Sequence, residues 1–332
     1  MKKLILLSSF LMTFLLNGCG GNSADEVIDP QSAKGCYRMK QLSATTTIPS
    51  DRRVSVLFQV LSCNNNTSGV SGLKSGDFQV FENSGSIDSE SLASFDPKQV
   101  PFSMRTLLLL DVSSSVLNQI PQIKEACKAL IEQKLPDQSF AIYIFDKNTR
   151  RLRDFTTSKD ELLMAIEQIP TKDLENSTNL YGAIMTTAKL VPSKYTATEI
   201  SDGSLIIFTD GRHNADPGLT LENARAAVRG VNTYVAALKS SDLQEDPLKQ
   251  IAASGENGGY FIADKVDVLK EQFLNIQKRI SNWASSYYLL NYRSPISNPQ
   301  NRTNTLEIRI KGNTNRGADK SISTTFNSFG FK

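Results

Sequence analysis

The chain has one histidine, His213, in 332 residues. A Ser-His-Asp triad or a two-histidine metal site must use that residue or be absent. Neither sign of charge prevails: 37 Lys and Arg against 34 Asp and Glu leave a net +3, too weak and too spread for a nucleic-acid binder. No apolar run reaches the ~20 residues of a spanning helix. No P-loop, G-x-G-x-x-G or G-x-S-x-G elbow occurs, so no nucleotide partner is expected. The remaining composition, with 39% hydrophobic and 21% charged residues, excludes collagen-like, disordered and multi-span classes. The length suits about two domains.

The amino terminus reads as an address. Lys2 and Lys3 precede an apolar run from Leu4 to Leu16, which ends Leu16-Asn17-Gly18-Cys19. The run is too short to span and fits a signal segment over residues 1–18. Small residues before Cys19 resemble the bacterial lipobox, which implies lipidation of Cys19; a cleaved, soluble secreted chain is the alternative. Gly20 after the cysteine resembles the pattern of lipoproteins sent to an outer membrane. The expected location is therefore the cell envelope, lipid-anchored. Residues 19–36 are small and polar, and read as the lipidated cysteine with a flexible tether. Export implies an oxidising compartment. Cys127 lies on a helical apolar stripe with Ile120, Ile123, Leu130 and Ile131 and reads as a buried small hydrophobe. Cys36 and Cys63 remain and are expected to pair, closing a loop worth ~3 kcal/mol; two free thiols are the alternative.

Two β-rich flanks enclose an α/β region. Residues 53–62 alternate Val54, Val56, Phe58 and Val60, a half-buried strand, and Asp77 to Phe81 form another. From about residue 104, apolar strands alternate with helical stretches: strands near 105–110, 139–145, 151–155, 204–208, 231–238 and 259–263, with helices near 118–134, 158–169, 179–190, 220–229, 246–253 and 266–281. That order predicts a Rossmann-like, doubly wound, mostly parallel sheet with helices on both faces. After Trp283, a packing residue at the junction, strands return at 287–292, 305–310 and 321–326. Neither flank builds a core alone. The economical reading pairs 37–101 with 283–332 as one small antiparallel sandwich, with the α/β domain of 102–282 inserted.

Chemistry concentrates where the strand near 105–110 ends, in Leu110-Asp111-Val112-Ser113-Ser114-Ser115. In an extended segment Asp111, Ser113 and Ser115 face one way. One carboxylate and two hydroxyls make a hard oxygen set suited to Mg2+, Mn2+ or Ca2+. A second apolar strand ends in Phe208-Thr209-Asp210-Gly211 and brings another carboxylate to the crevice if the two strands are neighbours.

Asp111-x-Ser113-x-Ser115 resembles the DxSxS motif of von Willebrand factor A domains. Thr178, in Ser177-Thr178-Asn179-Leu180-Tyr181, resembles that family's third-loop threonine, and Asp210 its second aspartate. Gly182 departs from the pattern, which commonly has Asp there, and Ser177 stands in place of Gly. The resemblance covers about 102–282 and implies a metal-ion-dependent adhesion site in which the hydroxyls touch a divalent cation, most simply Mg2+, while the aspartates act through water. Such a site accepts an Asp or Glu of a protein partner. The expected function is metal-bridged protein recognition, without catalysis. A structural or assembly lipoprotein with a supporting or vestigial site, its serines merely capping the helix, is the alternative. A haloacid-dehalogenase-type phosphatase would need Asp where Ser113 stands. His213, three residues past Asp210, reads as a solvated loop residue or a rim contact.

Overall fold

The structure, a computed structural model, describes residues 35–63, 68–87, 92–93, 102–296 and 302–332. The expected signal segment, Cys19 and the tether up to residue 34 lie outside the described residues.

The amino-terminal flank forms β1 (Tyr37–Gln41), β2 (Thr46–Ile48), β3 (Arg53–Ser62), β4 (Phe78–Glu82), β5 (Gly85–Ile87) and β6 (Leu92–Ala93). The middle of the chain runs β7 (Phe102–Asp111), α1 (Ile120–Glu132), β8 (Gln138–Phe145), β9 (Thr149–Thr156), α2 (Lys159–Glu167), α3 (Leu180–Thr187) and β10 (Lys194–Tyr195). It continues through β11 (Ile200–Thr209), α4 (Leu221–Ala227), β12 (Asn232–Leu238), α5 (Glu245–Ser254), β13 (Gly258–Ala263) and α6 (Val266–Ala284). The carboxyl-terminal flank adds β14 (Tyr287–Arg293), β15 (Thr303–Ile310) and β16 (Ser321–Asn327).

The middle strands build one sheet in the order β13-β12-β11-β7-β8-β9, with β10 beside β11. Neighbours from β13 to β8 are parallel; β9 and β10 run antiparallel. Burial on both faces explains the unbroken apolar run of β7. Leu108 and Leu110 pack toward α1 and α6, and Leu107 and Leu109 toward α3, α4 and α5. Cys127 is fully buried on α1. The chain passes from β7 to β8 on one side and returns to β11 on the other. The switch point of the sheet therefore lies between the carboxyl ends of β7 and β11, where an open α/β sheet leaves a crevice.

The flanks interleave. β3 pairs with β14, and β4 with β15. The sheet β1-β3-β14-β6, with β2 on β3, faces the sheet β16-β15-β4-β5 across one core of Val54, Phe58, Phe78, Tyr288, Ile308 and Phe326. The fold is thus the expected α/β class, with antiparallel sheets from the flanks. One expectation fails: β3 is buried on both faces, not one. Its second face, Leu57 and Leu61, packs against Ile200, Trp283, Tyr287 and Leu289, so the α/β domain covers what sequence alternation assigns to solvent.

Candidate metal centre

β7 delivers Asp111 to the crevice, and an extended residue, Ser113, then leads into a 3-10 turn over Ser114–Gln119 before α1. Asp111 is fully buried. Its Oδ1 accepts the backbone N–H of Ser113 at 2.9 Å, and its Oδ2 accepts the Thr209 hydroxyl at 2.7 Å. The second bond follows from register: Phe208 pairs with Leu110, which sets Thr209 beside Asp111.

The two serines continue the chain of bonds. Ser113 Oγ lies 3.0 Å from Ser115 Oγ, and Ser115 Oγ donates to Asp210 Oδ1 at 2.8 Å. A hydroxyl has one proton, so Ser115, donating to Asp210, accepts from Ser113. Ser113 stands at the N-cap of the 3-10 turn but makes no side-chain cap bond. Its hydroxyl faces the other oxygens instead.

Thr178 is buried beside this group. Its N–H donates to Asn214 Oδ1 at 2.6 Å, and its carbonyl accepts from the Asn214 N–H at 3.1 Å. Its hydroxyl lies 3.9 Å from the position a Cβ would take on Gly211. Asp111, Ser113, Ser115 and Asp210 thus form one hydrogen-bonded set, with Thr178 held against its Asp210 side through the 211–214 loop. Gly182 sits under the Asn179 side chain. A Cβ at that position would fall 2.6 Å from Asn179 Oδ1, which accepts the Gly182 N–H to cap α3.

The electrostatics suit a cation. Burial pushes the Asp111 carboxyl up to about 6; the Thr209 and Ser113 bonds oppose that and the nearby Asp210 charge adds to it. Burial also raises Asp210, against the Ser115 bond and with the Asp242 charge. Among the described residues, no cationic side chain is among the groups acting on either carboxyl. A divalent ion would favour both ionised forms. Among the described residues no group of three or more His, Cys, Asp or Glu side chains gathers. The donor set is therefore hydroxyls plus two carboxylates, which fits a hard ion held largely by neutral oxygens.

His213 is half-buried and stacks on Tyr181, with centroids 4.2 Å apart, rather than standing free in solvent. Elsewhere, Cys36 and Cys63 are joined by a disulfide with Cα atoms 5.3 Å apart. The sequence reading missed Thr209, Asn214 and Asp146 as supports of the crevice. Thr209 could have been found from the alignment of the two strand ends; nothing marks the other two among ordinary polar loop residues.

The family model VWA, von Willebrand factor type A domain, matches residues 107–275, just over half of the chain. No curated protein gives a match. Among solved structures, the chain is similar to the conserved hypothetical protein BatB from Bacteroides thetaiotaomicron, with 19% identity, 55% of this chain and 100% of that one covered, and a TM-score of 0.45. It is similar to a von Willebrand factor type A protein from Catenulispora acidiphila, with 11% identity, coverage of 90% and 74%, and a TM-score of 0.46. A third is the vWF domain of the type V pili tip protein Mfa5 from Porphyromonas gingivalis, with 12% identity, coverage of 55% and 96%, and a TM-score of 0.44.

Proposed function

Because the chain belongs to the von Willebrand factor type A domain family, we propose that Asp111, Ser113, Ser115, Thr178 and Asp210 form a metal-ion-dependent adhesion site. They hold a divalent cation, Mg2+ first and Mn2+ or Ca2+ as alternatives, and the protein uses it to bind an Asp or Glu of a protein partner. The observation that carries this reading is the Ser113–Ser115–Asp210 chain of bonds beside the buried Asp111, with no basic side chain among the described residues acting on either carboxyl. When bound, a divalent cation supplies positive charge and a coordination position open to a carboxylate. Ser113 and Ser115 offer lone pairs without cancelling that charge. Asp210 holds the Ser115 hydroxyl and Asp111 the Ser113 backbone; both carboxylates would add negative charge beside a bound ion, and Thr178 would add a hydroxyl from the third loop.

The reading is binding rather than catalysis. Nucleophilic work by Ser113 needs a base within reach. Its hydroxyl neighbour is Ser115, and His213 is engaged by Tyr181 and by the carbonyl of Asp216 at 3.2 Å. We further propose that Cys19 carries a lipid and holds the protein at the cell envelope, at the outer membrane in a bacterium with two. No helix among the described residues is long and apolar enough to cross a membrane.

Calorimetric titration of the metal-stripped protein with Mg2+, Mn2+ and Ca2+ tests the site. One ion per chain, lost in Ser113→Ala, is the expected result. Binding of a partner that survives chelation would instead favour an assembly lipoprotein docking through its sandwich. Cys19→Ser should move the protein from the membrane to the soluble fraction.

A further inference from the structure

The four loops around the crevice are tied to one another, and one of the ties has a buried charge behind it. The carbonyl of Phe145 accepts the N–H of Val112 at 2.8 Å, and the next carbonyl, that of Asp146, accepts the N–H of Asn179 at 2.7 Å. Val112 follows Asp111 and Asn179 follows Thr178. A single dipeptide at the end of β8 therefore fixes the spacing between the Asp111 loop and the Thr178 loop. The following carbonyl, Lys147, accepts from Asn179 Nδ2 at 3.3 Å and adds a second hold on the same residue.

The dipeptide is itself locked. The Asp146 side chain is only 2% exposed, and Arg150 donates to both of its oxygens, at 2.9 and 2.7 Å. Oδ1 also accepts the N–H of Asn148 at 2.9 Å, and the Asp146 N–H donates to the Asn148 carbonyl at 3.3 Å. The carboxylate thus closes the 146–148 turn and aims its two carbonyls at Asn179. A two-pronged guanidinium contact restricts orientation as well as distance. Neither Asp146 nor Arg150 belongs to the proposed ligand set.

We infer that Asp146, clamped by Arg150, is a positioning residue that sets the reach of Thr178 toward the bound cation. The inference rests on the proposed metal site and names a part of its support that the site motifs do not include. Asp146 reaches Thr178 through the next residue, Asn179; residues that support a metal ligand typically change affinity 10- to 100-fold when substituted.

The test is a double-mutant cycle read by Mn2+ calorimetry, with thermal unfolding of the metal-free proteins alongside. Asp146→Asn and Arg150→Gln should each weaken Mn2+ binding by about tenfold in the wild-type background. In a Thr178→Ala background the same substitutions should change affinity less than twofold, because the residue they position no longer has its ligand oxygen. Their effect on unfolding should be the same in both backgrounds. Arg150 is 42% exposed on its side chain and keeps the test alive should Asp146→Asn fold poorly. Equal losses of affinity in both backgrounds would overturn the inference in favour of general loosening. So would unchanged affinity in the wild-type background. Failure of the wild-type protein to take up Mn2+ at all would overturn the site reading and this inference with it, a result distinct from either of the others.

Discussion

Asp111 and Asp202 lie at opposite ends of the central sheet, both almost wholly shielded from solvent. At the carboxyl end, Asp111 shares its bonds between its two oxygens, one taking the Ser113 N–H and the other the Thr209 hydroxyl. At the amino end, where β11 meets the sandwich, three donors converge on Asp202 Oδ1: Tyr195 OH at 2.6 Å, Tyr287 OH at 3.0 Å and Asn232 Nδ2 at 2.9 Å. Oδ2 has no partner among the described residues. The donors come from β10, β14 and β12, so this carboxyl ties a sandwich strand to the α/β sheet. One fold therefore buries the same side chain for two ends. Serine and threonine hydroxyls line the Asp111 end, whereas the rings of Tyr195 and Tyr287, 5.4 Å apart, make an apolar seam at the Asp202 end.

The sharpest break of this comparison is Asp111→Ala. It should lower Mn2+ affinity by at least about a hundredfold while the metal-free protein loses no more than about 2 kcal/mol, since Ser113 N–H and the Thr209 hydroxyl lose their acceptor as a buried carboxyl is removed; calorimetry and thermal melts check both halves. Replacing Cys36 and Cys63 together by Ser should cost about 3 kcal/mol of stability and leave Mn2+ affinity within twofold, as read by denaturant unfolding and titration. Asp202→Ala strips three donors of their acceptor and should cost about 2 kcal/mol, again without touching the metal. A Mn2+ affinity that fell with Asp202→Ala would show that the two ends are coupled. The smallest effect is on pH. Burial holds the Asp202 carboxyl above its ordinary value of 3.8, against the pull of its donors. Such a group favours folding while it keeps its proton. Its contribution is full below pH 3.8 and is lost as pH rises through the raised value. Asp202→Asn, neutral throughout, should flatten the fall in metal-free stability above pH 4, leaving the slope due to Asp111, Asp210 and Glu82, which burial also raises.

Different parts of this arrangement were legible in the sequence to different degrees. The run Leu107 to Leu110 can be satisfied only by cover on both faces, so the central sheet was readable from it. The five oxygen-bearing residues were readable because three short motifs each end a strand or open a helix. Asp146 was not, since a lone Asp in a tight turn has many ordinary uses and only the fold brings it to Asn179. The second burial of Leu57 and Leu61 escaped for a similar reason: alternation along β3 records one partner layer and cannot announce a second. β1 was missed because Tyr37 to Gln41 is short and carries two charges. It is held by pairing with β3 and by Asn313, which accepts the Tyr37 N–H and donates to its carbonyl, both at 2.9 Å.

The Cys36–Cys63 bridge also has a mechanical meaning. The bonded residues are 27 apart in sequence, and β1, β2 and β3 all lie between them. Tension applied from the amino-terminal side reaches Cys36 and crosses directly to Cys63, bypassing everything between. β1 is then not peeled from β3, and β3 keeps its seat against Trp283 and Ile200 under a pull that would otherwise unzip the sandwich strand by strand. Any load that enters from the amino-terminal side thus has a path that runs around β1, β2 and β3.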